Sequence, residues 1–183
     1  MTSRILTVPN QITFLRLGFL PLFIISILYD RYSWALVILI AAGLTDGLDG
    51  LLARRLDQRS ALGAYLDPIA DKLLLSSSFF ILALKGKIQW WLTVLVLGRD
   101  VSILTAAVVI LLVAGYRPFP PSIFGKVNTA AQILLVFVVV CAVLVNQPLL
   151  ELLRGVLVYL VAVFTVLSGF HYSVVIARQV SSS

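Results

Sequence analysis

The chain has 183 residues, 61% of them hydrophobic and 12% charged, with a mean hydropathy of +1.07 and a formal charge of +6. Soluble domains carry about 45–50% apolar and about 25% charged residues, so this composition excludes an ordinary globular protein and points to an integral membrane one. Cys141 is the single cysteine, which excludes an intrachain disulfide and a thiolate metal site. The basic residues are scattered and sit mostly at segment ends, which favours anionic lipid and phosphorylated substrates over nucleic acid.

Residues 1–12 read as a short interfacial piece, with Pro9-Asn10 as a turn or helix start, and no apolar h-region precedes Pro9. A spanning helix needs about 20 mostly apolar residues. That length gives six segments, near 14–30, 34–53, 62–84, 90–114, 124–145 and 149–176. The breaks fall at Tyr29-Asp30-Arg31, the RRLDQRS stretch, Lys85-Gly86-Lys87, the YRPFPPS stretch and Asn146-Gln147-Pro148. The expected fold is all-α: a single membrane domain over 1–183 with six transmembrane helices preceded by a short interfacial helix.

Six spans place both termini on one side. Arg4, Arg16, Arg54, Arg55, Arg59, Arg117, Lys126 and Arg178 then fall toward that face, and Arg31, Lys85, Lys87 and Arg154 toward the other. By the positive-inside rule the first face is cytoplasmic. Trp90 and Trp91 beside Lys87 suit an aromatic belt at the opposite interface.

The acidic residues are unevenly spread. Asp46, Asp49, Asp57, Asp67 and Asp71 crowd into DGLDGLLARRLDQRSALGAYLDPIAD, between long apolar runs. A carboxylate at membrane depth is costly without a partner, so such residues are read as functional. Asp46, Asp49, Gly50 and Ala53 are spaced i, i+3, i+4, i+7 and share one helix face. Asp67 and Asp71 share a face of the next helix, and the intervening turn would set the two helices antiparallel with facing carboxylates. Such a cluster offers only oxygen ligands, which suits Mg²⁺ or Mn²⁺. Two ions roughly 3.5–4 Å apart could polarise a phosphoryl group. Gly50 and Gly63 leave room for a bulky anion, and the planar fork of Arg54 suits a pyrophosphate. Asp57, in the polar turn, reads as a solvated charge. Two other readings use the same carboxylates: a structural charge network with Arg54, Arg55, Arg59 and Lys72, or a proton or ion relay in a small transporter. Against the relay, the charges gather at one membrane face and do not line a path across it.

The pattern D-x2-D-G-x2-A-R-x8-G-x3-D-x3-D, read from Asp46 to Asp71, resembles the signature of the CDP-alcohol phosphatidyltransferases. Pro9, Asn10, Thr13, Arg16 and Pro21 near the N-terminus and GKVNT at 125–129 extend the resemblance. It implies a homodimeric enzyme that displaces CMP from CDP-diacylglycerol with an alcohol. It further implies that Asp46, Asp49, Asp67 and Asp71 hold two metal ions, with Asp71 also the general base. Gly50, Ala53, Arg54 and Gly63 would bind the CDP moiety, and Asn10 and Thr13 could touch the nucleotide.

Arg99, Lys126 and Arg117 are the candidate acceptor-binding cations. The phosphatidylglycerophosphate synthase version of the family looks like Arg-Glu in the fourth span, a second Arg eight residues on, and GK-x-KT before the fifth. This chain has Arg99-Asp100, Ala107 and Asn128 at those places. Two cations suited to a free phosphomonoester are therefore replaced. LTDGLDG, QRSALGAYLDPIADK, GRDV and GKVNTAAQ also resemble the cardiolipin synthases of this fold, so phosphatidylglycerol is the expected acceptor and glycerol 3-phosphate the alternative. Arg99-Asp100 also reads as a mutually neutralising pair, and Lys126 as a snorkelling lysine. His171 reads as an interfacial or hydrogen-bonded residue. Pro68 would loosen the start of the third helix and free a carbonyl.

Overall fold

The computed structural model describes the backbone over residues 8–56, 61–114 and 123–181 and the side chains over 14–45, 70–105 and 123–172. Among the described residues there are six α-helices and no strand: α1 (Val8–Leu28), α2 (Tyr32–Leu56), α3 (Ala61–Leu84), α4 (Trp90–Ala114), α5 (Ile123–Val145) and α6 (Pro148–Ser181). Long apolar runs favour this outcome, because a helix satisfies its backbone hydrogen bonds within one segment. The separate interfacial helix is not seen among them. Residues 8–12 belong to α1, which runs unbroken to Leu28. Pro9 sits in its first turn, where a missing N–H leaves no hydrogen bond unmade. Pro68 lies inside α3, which begins at Ala61, and lacks the N–H that would close a turn there.

Two compact units divide the chain: Met1–Lys87 with Val143–Val145, and Ile88–Ala142 with Asn146–Ser183. In the first, α1 packs against both α2 and α3. Its core takes Phe23 and Ile27 from α1, Ala35 and Ala42 from α2, and Ala70, Leu75, Phe79 and Leu82 from α3, all buried. The alanines of α2 lie two turns apart on one face, and such small side chains permit close helix approach.

Helices α1 and α3 end alike. The N–H of Arg31 bonds Ser26 C=O and that of Asp30 bonds Ile27 C=O; Lys87 and Gly86 repeat the pattern on Leu82 and Ala83. These are Schellman ends, which need a left-handed residue just past the helix. Asp30 (φ 56°) and Gly86 (φ 66°) supply it. Lys85 Nζ then reaches Asp30 Oδ1 at 2.7 Å, tying the two ends together.

In the second unit α4 packs against α6. Trp91 lies 6.5 Å from Tyr159 between ring centroids, and Arg99 bonds Ser168. Eight residues along α4 thus match nine along α6, so the two run parallel. Helix α5 is the more deeply buried, with Leu135, Val136, Val139 and Val140 at 0% exposure. Asn146 (φ 50°) closes it, and Pro148 opens α6 while Gln147 C=O accepts from Leu150 and Glu151.

Among the described residues, two segments reach membrane length and hydropathy: Ile123–Val145 and Pro148–Tyr172. Shorter apolar stretches run over Phe14–Leu28 and Tyr32–Thr45.

Candidate active site

Arg16 is the largest polar side chain in the first unit's core. It lies in FLRLGFLPLF on the same face as Phe23 and Ile27 and is 2% exposed. Its Nη1 donates to Asp71 Oδ1 at 2.5 Å, and the Asp71 side chain stays about half exposed (47%). Apolar surroundings strengthen such a charge-assisted bond and fix both groups.

A second ion pair sets the direction of the helices. Arg16–Asp71 and Asp30–Lys85 are both 55 residues apart in sequence, so α1 and α3 run parallel in one register. The tight turn at Tyr29–Arg31 sends α2 back antiparallel to both. Fourteen residues separate Arg16 from Asp30, and as many separate Tyr32 from Asp46. At about 1.5 Å per residue, Asp46 therefore enters α2 near the level of the Arg16–Asp71 pair. The backbone brings both halves of the acidic motif to one end of this unit: Asp46, Asp49, Gly50, Ala53 and Arg54 on α2, and Gly63, Asp67 and Asp71 on α3.

Of these, only the Asp71 side chain lies among the described residues. The side chains of Asp46, Asp49, Gly50, Ala53, Arg54, Gly63 and Asp67 lie outside them, as do those of Asn10 and Thr13 on α1. Asp57, Arg117 and the prolines at 118, 120 and 121 also lie outside. Among the described residues no three His, Cys, Asp or Glu gather as a metal site. Among the described side chains Asp71 pairs with Arg16, a residue outside the Arg54, Arg55, Arg59 and Lys72 of the charge-network reading. The sequence marked Arg16 as a basic residue of one face and as part of the N-terminal pattern, without pointing to its pairing with Asp71.

The second unit holds its own polar group. Arg99 (side chain 9% exposed) donates from Nη1 to Asp100 Oδ1 at 2.7 Å and from Nη2 to Ser168 Oγ, and lies 5.7 Å from the Tyr172 ring centroid. The neutralising pair is thus present, with a hydroxyl and an aromatic face added. One turn along α6, buried Thr165 donates to Asn128 Oδ1 at 3.0 Å. Gln132 follows Asn128 by one turn on α5, and both are fully buried. Among the described residues, Asn128 Nδ2, Gln132 Nε2, Gln132 Oε1 and Arg99 Nε have no hydrogen-bond partner. Each unpaired buried polar group costs about 1–3 kcal/mol, so a run of them in an apolar helix layer calls for an explanation. Sequence reasoning missed Gln132, Thr165 and Ser168, because single polar residues in apolar helices carry no spacing signal.

Lys126 is exposed near the start of α5. His171 is exposed and packs its ring 5.6 Å from Phe124 and 6.1 Å from Tyr172, a packing role consistent with an interfacial residue.

Residues 6–167 match the CDP-alcohol phosphatidyltransferase family, and the chain belongs to it. It is 40% identical over 134 residues to a cardiolipin synthase (CMP-forming) of Streptomyces coelicolor, covering 70% of this chain and 62% of that one. It is 35% identical over 128 residues to a putative cardiolipin synthase of Mycobacterium tuberculosis, covering 69% and 61%. A probable phosphatidylglycerophosphate synthase of the same organism is 36% identical over 138 residues, covering 71% and 64%. The chain thus spans somewhat under two thirds of the length of these relatives.

Proposed function

We propose that the protein transfers a phosphatidyl group from CDP-diacylglycerol to an alcohol, releasing CMP, and that the alcohol is phosphatidylglycerol, which yields cardiolipin. The observation that carries this reading is the register of α1, α2 and α3, which collects the family's acidic motif at one end and anchors Asp71 on buried Arg16. The family match crosses both compact units, which supports a single functional domain.

In this reading Asp71 takes the proton of the acceptor hydroxyl. The hydroxyl oxygen bonds to the lipid-bearing phosphorus, and the bond from that phosphorus to the bridging oxygen breaks, so CMP leaves with the electron pair. Arg16 holds the Asp71 carboxylate in place for that transfer. Arg54 clamps the pyrophosphate, with Gly50, Ala53, Gly63, Asn10 and Thr13 beside the nucleotide. Asp46, Asp49, Asp67 and Asp71 would hold two divalent ions, Mg²⁺ or Mn²⁺; an all-oxygen donor set and a half-exposed Asp71 carboxylate fit such hard cations. The chemistry these ions supply when bound is neutralisation of charge on the pyrophosphate and on the leaving phosphate.

Six membrane spans, with both termini and the acidic end on the cytoplasmic side, complete the proposal. Support comes from the basic residues that fall to that face and from exposed apolar side chains such as Trp34, Val37, Leu44, Val94, Val101, Val163 and Phe170. We read the enzyme as a homodimer, by family resemblance. Asn128 in place of a lysine, with Ala107 in place of an arginine, favours phosphatidylglycerol over the doubly charged glycerol 3-phosphate. Purified protein given CDP-diacylglycerol, Mg²⁺ and each acceptor tests this through CMP release and product lipid. Cardiolipin from phosphatidylglycerol is the expected product; turnover with glycerol 3-phosphate alone would move the assignment to a phosphatidylglycerophosphate synthase. Ion flux without CMP release would favour a transporter.

A further inference from the structure

The Asp71 carboxylate faces two environments. Its Oδ1 accepts from Arg16 Nη1 at 2.5 Å, while the side chain as a whole is 47% exposed. Arg16 is 2% exposed, on the face of α1 that carries Phe23 and Ile27. A guanidinium so deeply buried cannot leave its counter-charge for solvent, so the bond persists when a cation reaches the carboxylate from its exposed side. The Asp30–Lys85 pair at the far end of the same two helices keeps their register, and with it the level at which Arg16 meets Asp71.

A carboxylate binds a metal ion through one oxygen or through both. Mg²⁺ demands a near-octahedral shell, which the narrow bite of a single carboxylate does not fit, whereas Ca²⁺ takes about 6–8 oxygens, often two from one carboxylate. A guanidinium on Oδ1 opposes a second positive charge on the same atom, because like charges at contact distance repel. We propose that Arg16 sets the ion selectivity of the acidic site: by holding Oδ1 it confines Asp71 to one-oxygen ligation, which favours Mg²⁺ or Mn²⁺ and works against Ca²⁺. The inference rests on the reading of Asp71 as a metal ligand. Arg16 acts through Asp71 and is therefore a positioning residue. A purely structural arginine would affect all divalent ions alike; this one changes the ratio between them.

The test places the chain in phosphatidylcholine nanodiscs with Mn²⁺ as the probe. Electron paramagnetic resonance reads the unbound Mn²⁺, and Mg²⁺ and Ca²⁺ are each titrated against the bound ion. Wild type is compared with Arg16→Gln, Arg16→Lys and Gly86→Ala, with thermal unfolding in the absence of metal as the check on folding. Arg16→Gln keeps a donor and removes the charge, so the ratio of Ca²⁺ to Mg²⁺ affinity is expected to rise about tenfold. Arg16→Lys keeps the charge without the planar fork, and the ratio is expected to rise by a smaller factor. Gly86→Ala strains a turn at φ +66° without touching the pair, and the ratio is expected to stay at the wild-type value.

An unchanged ratio in the Arg16 variants that fold would overturn the inference and leave the transferase reading standing. A rise in Gly86→Ala as large as in Arg16→Gln would overturn it too, since lost stability would then account for the shift. A wild type that binds Mn²⁺ and shows the Arg16 effect but releases no CMP would uphold the inference and overturn the transferase reading. A wild type that binds no Mn²⁺ would overturn the metal assignment and the inference together.

Discussion

Arg16 donates to Asp71 across 55 residues of sequence, at 2.5 Å, with the arginine buried and the carboxylate half exposed. The pair joins two parallel helices at the end where the acidic motif collects. Arg16→Leu removes the buried partner. Breaking a fully buried pair costs about 3–5 kcal/mol; the exposure of Asp71 brings the expected loss nearer 2 kcal/mol, since solvent screens one side. Thermal unfolding in detergent measures this, and CMP release is expected to fall at least about tenfold as the carboxylate loses its fixed position. Arg16→Lys restores the charge without the planar fork and is expected to fall between the two.

Asp71→Asn separates position from chemistry. The asparagine keeps an oxygen for Arg16 to bond but cannot take a proton from the acceptor. General-base catalysis is typically worth about 10²–10⁴-fold, so CMP release is expected to drop by at least that factor while the protein stays folded, with an unfolding temperature lowered because buried Arg16 loses its counter-charge. Near-normal turnover would remove Asp71 from the base role.

The lengths and ends of the helices were legible in the sequence because their causes are local. Tyr29-Asp30-Arg31 and Lys85-Gly86-Lys87 broke the apolar pattern where a left-handed residue is needed, and Asn146-Gln147-Pro148 announced a stop followed by a start. The start of α1 was read too late, since hydropathy drops over Asn10, Gln11 and Thr13 although the backbone stays helical. Pro68, more than one turn inside α3, removes one N–H without ending the helix. The spacing of the aspartates, a periodic signal, marked the motif. The Arg16–Asp71 pair was not legible, because it depends on the register between helices that are not neighbours in sequence. The Arg99–Ser168 bond, between α4 and α6, was hidden for the same reason, and the Asn128–Thr165 bond because lone polar residues in apolar helices carry no spacing signal.

Removal of divalent metal tests the oxygen-ligand reading. Excess EDTA is expected to abolish CMP release, and Mg²⁺ or Mn²⁺ added back to restore it. Turnover that persisted after chelation and dialysis would contradict the assignment of Asp46, Asp49, Asp67 and Asp71 as ligands.

Ser168 holds the outer nitrogen of Arg99 that Asp100 does not. Ser168→Ala therefore leaves a buried guanidinium donor without its hydroxyl partner. Hydrogen bonds to charged groups contribute about 1.5–3 kcal/mol, and a loss near the lower end is expected, because the Asp100 bond and the Tyr172 ring remain. Unfolding in detergent would show it; no change would mean that Arg99 repacks freely.

The clip between Asp30 and Lys85 gives a pH dependence of fixed sign. The hydrogen bond from Lys85 is the largest influence on Asp30 and holds its carboxyl below the ordinary value of 3.8. A depressed carboxylate stabilises the fold fully above the unfolded value, and the benefit is lost as pH falls through the folded one. Asp30→Asn keeps a residue that tolerates the left-handed backbone and deletes only the charge. Its unfolding temperature is expected to lie slightly below wild type at pH 7, and the gap to close as pH drops below 3.8. Gly86→Ala is the contrasting case. A Cβ there meets nothing within 4 Å, so any loss comes from the backbone alone at φ +66°, about 1–2 kcal/mol for a side-chain-bearing residue, and does not vary with pH. A pH-dependent loss in Gly86→Ala, or a pH-independent one in Asp30→Asn, would show that the ion pair and the turn geometry are not separable contributions.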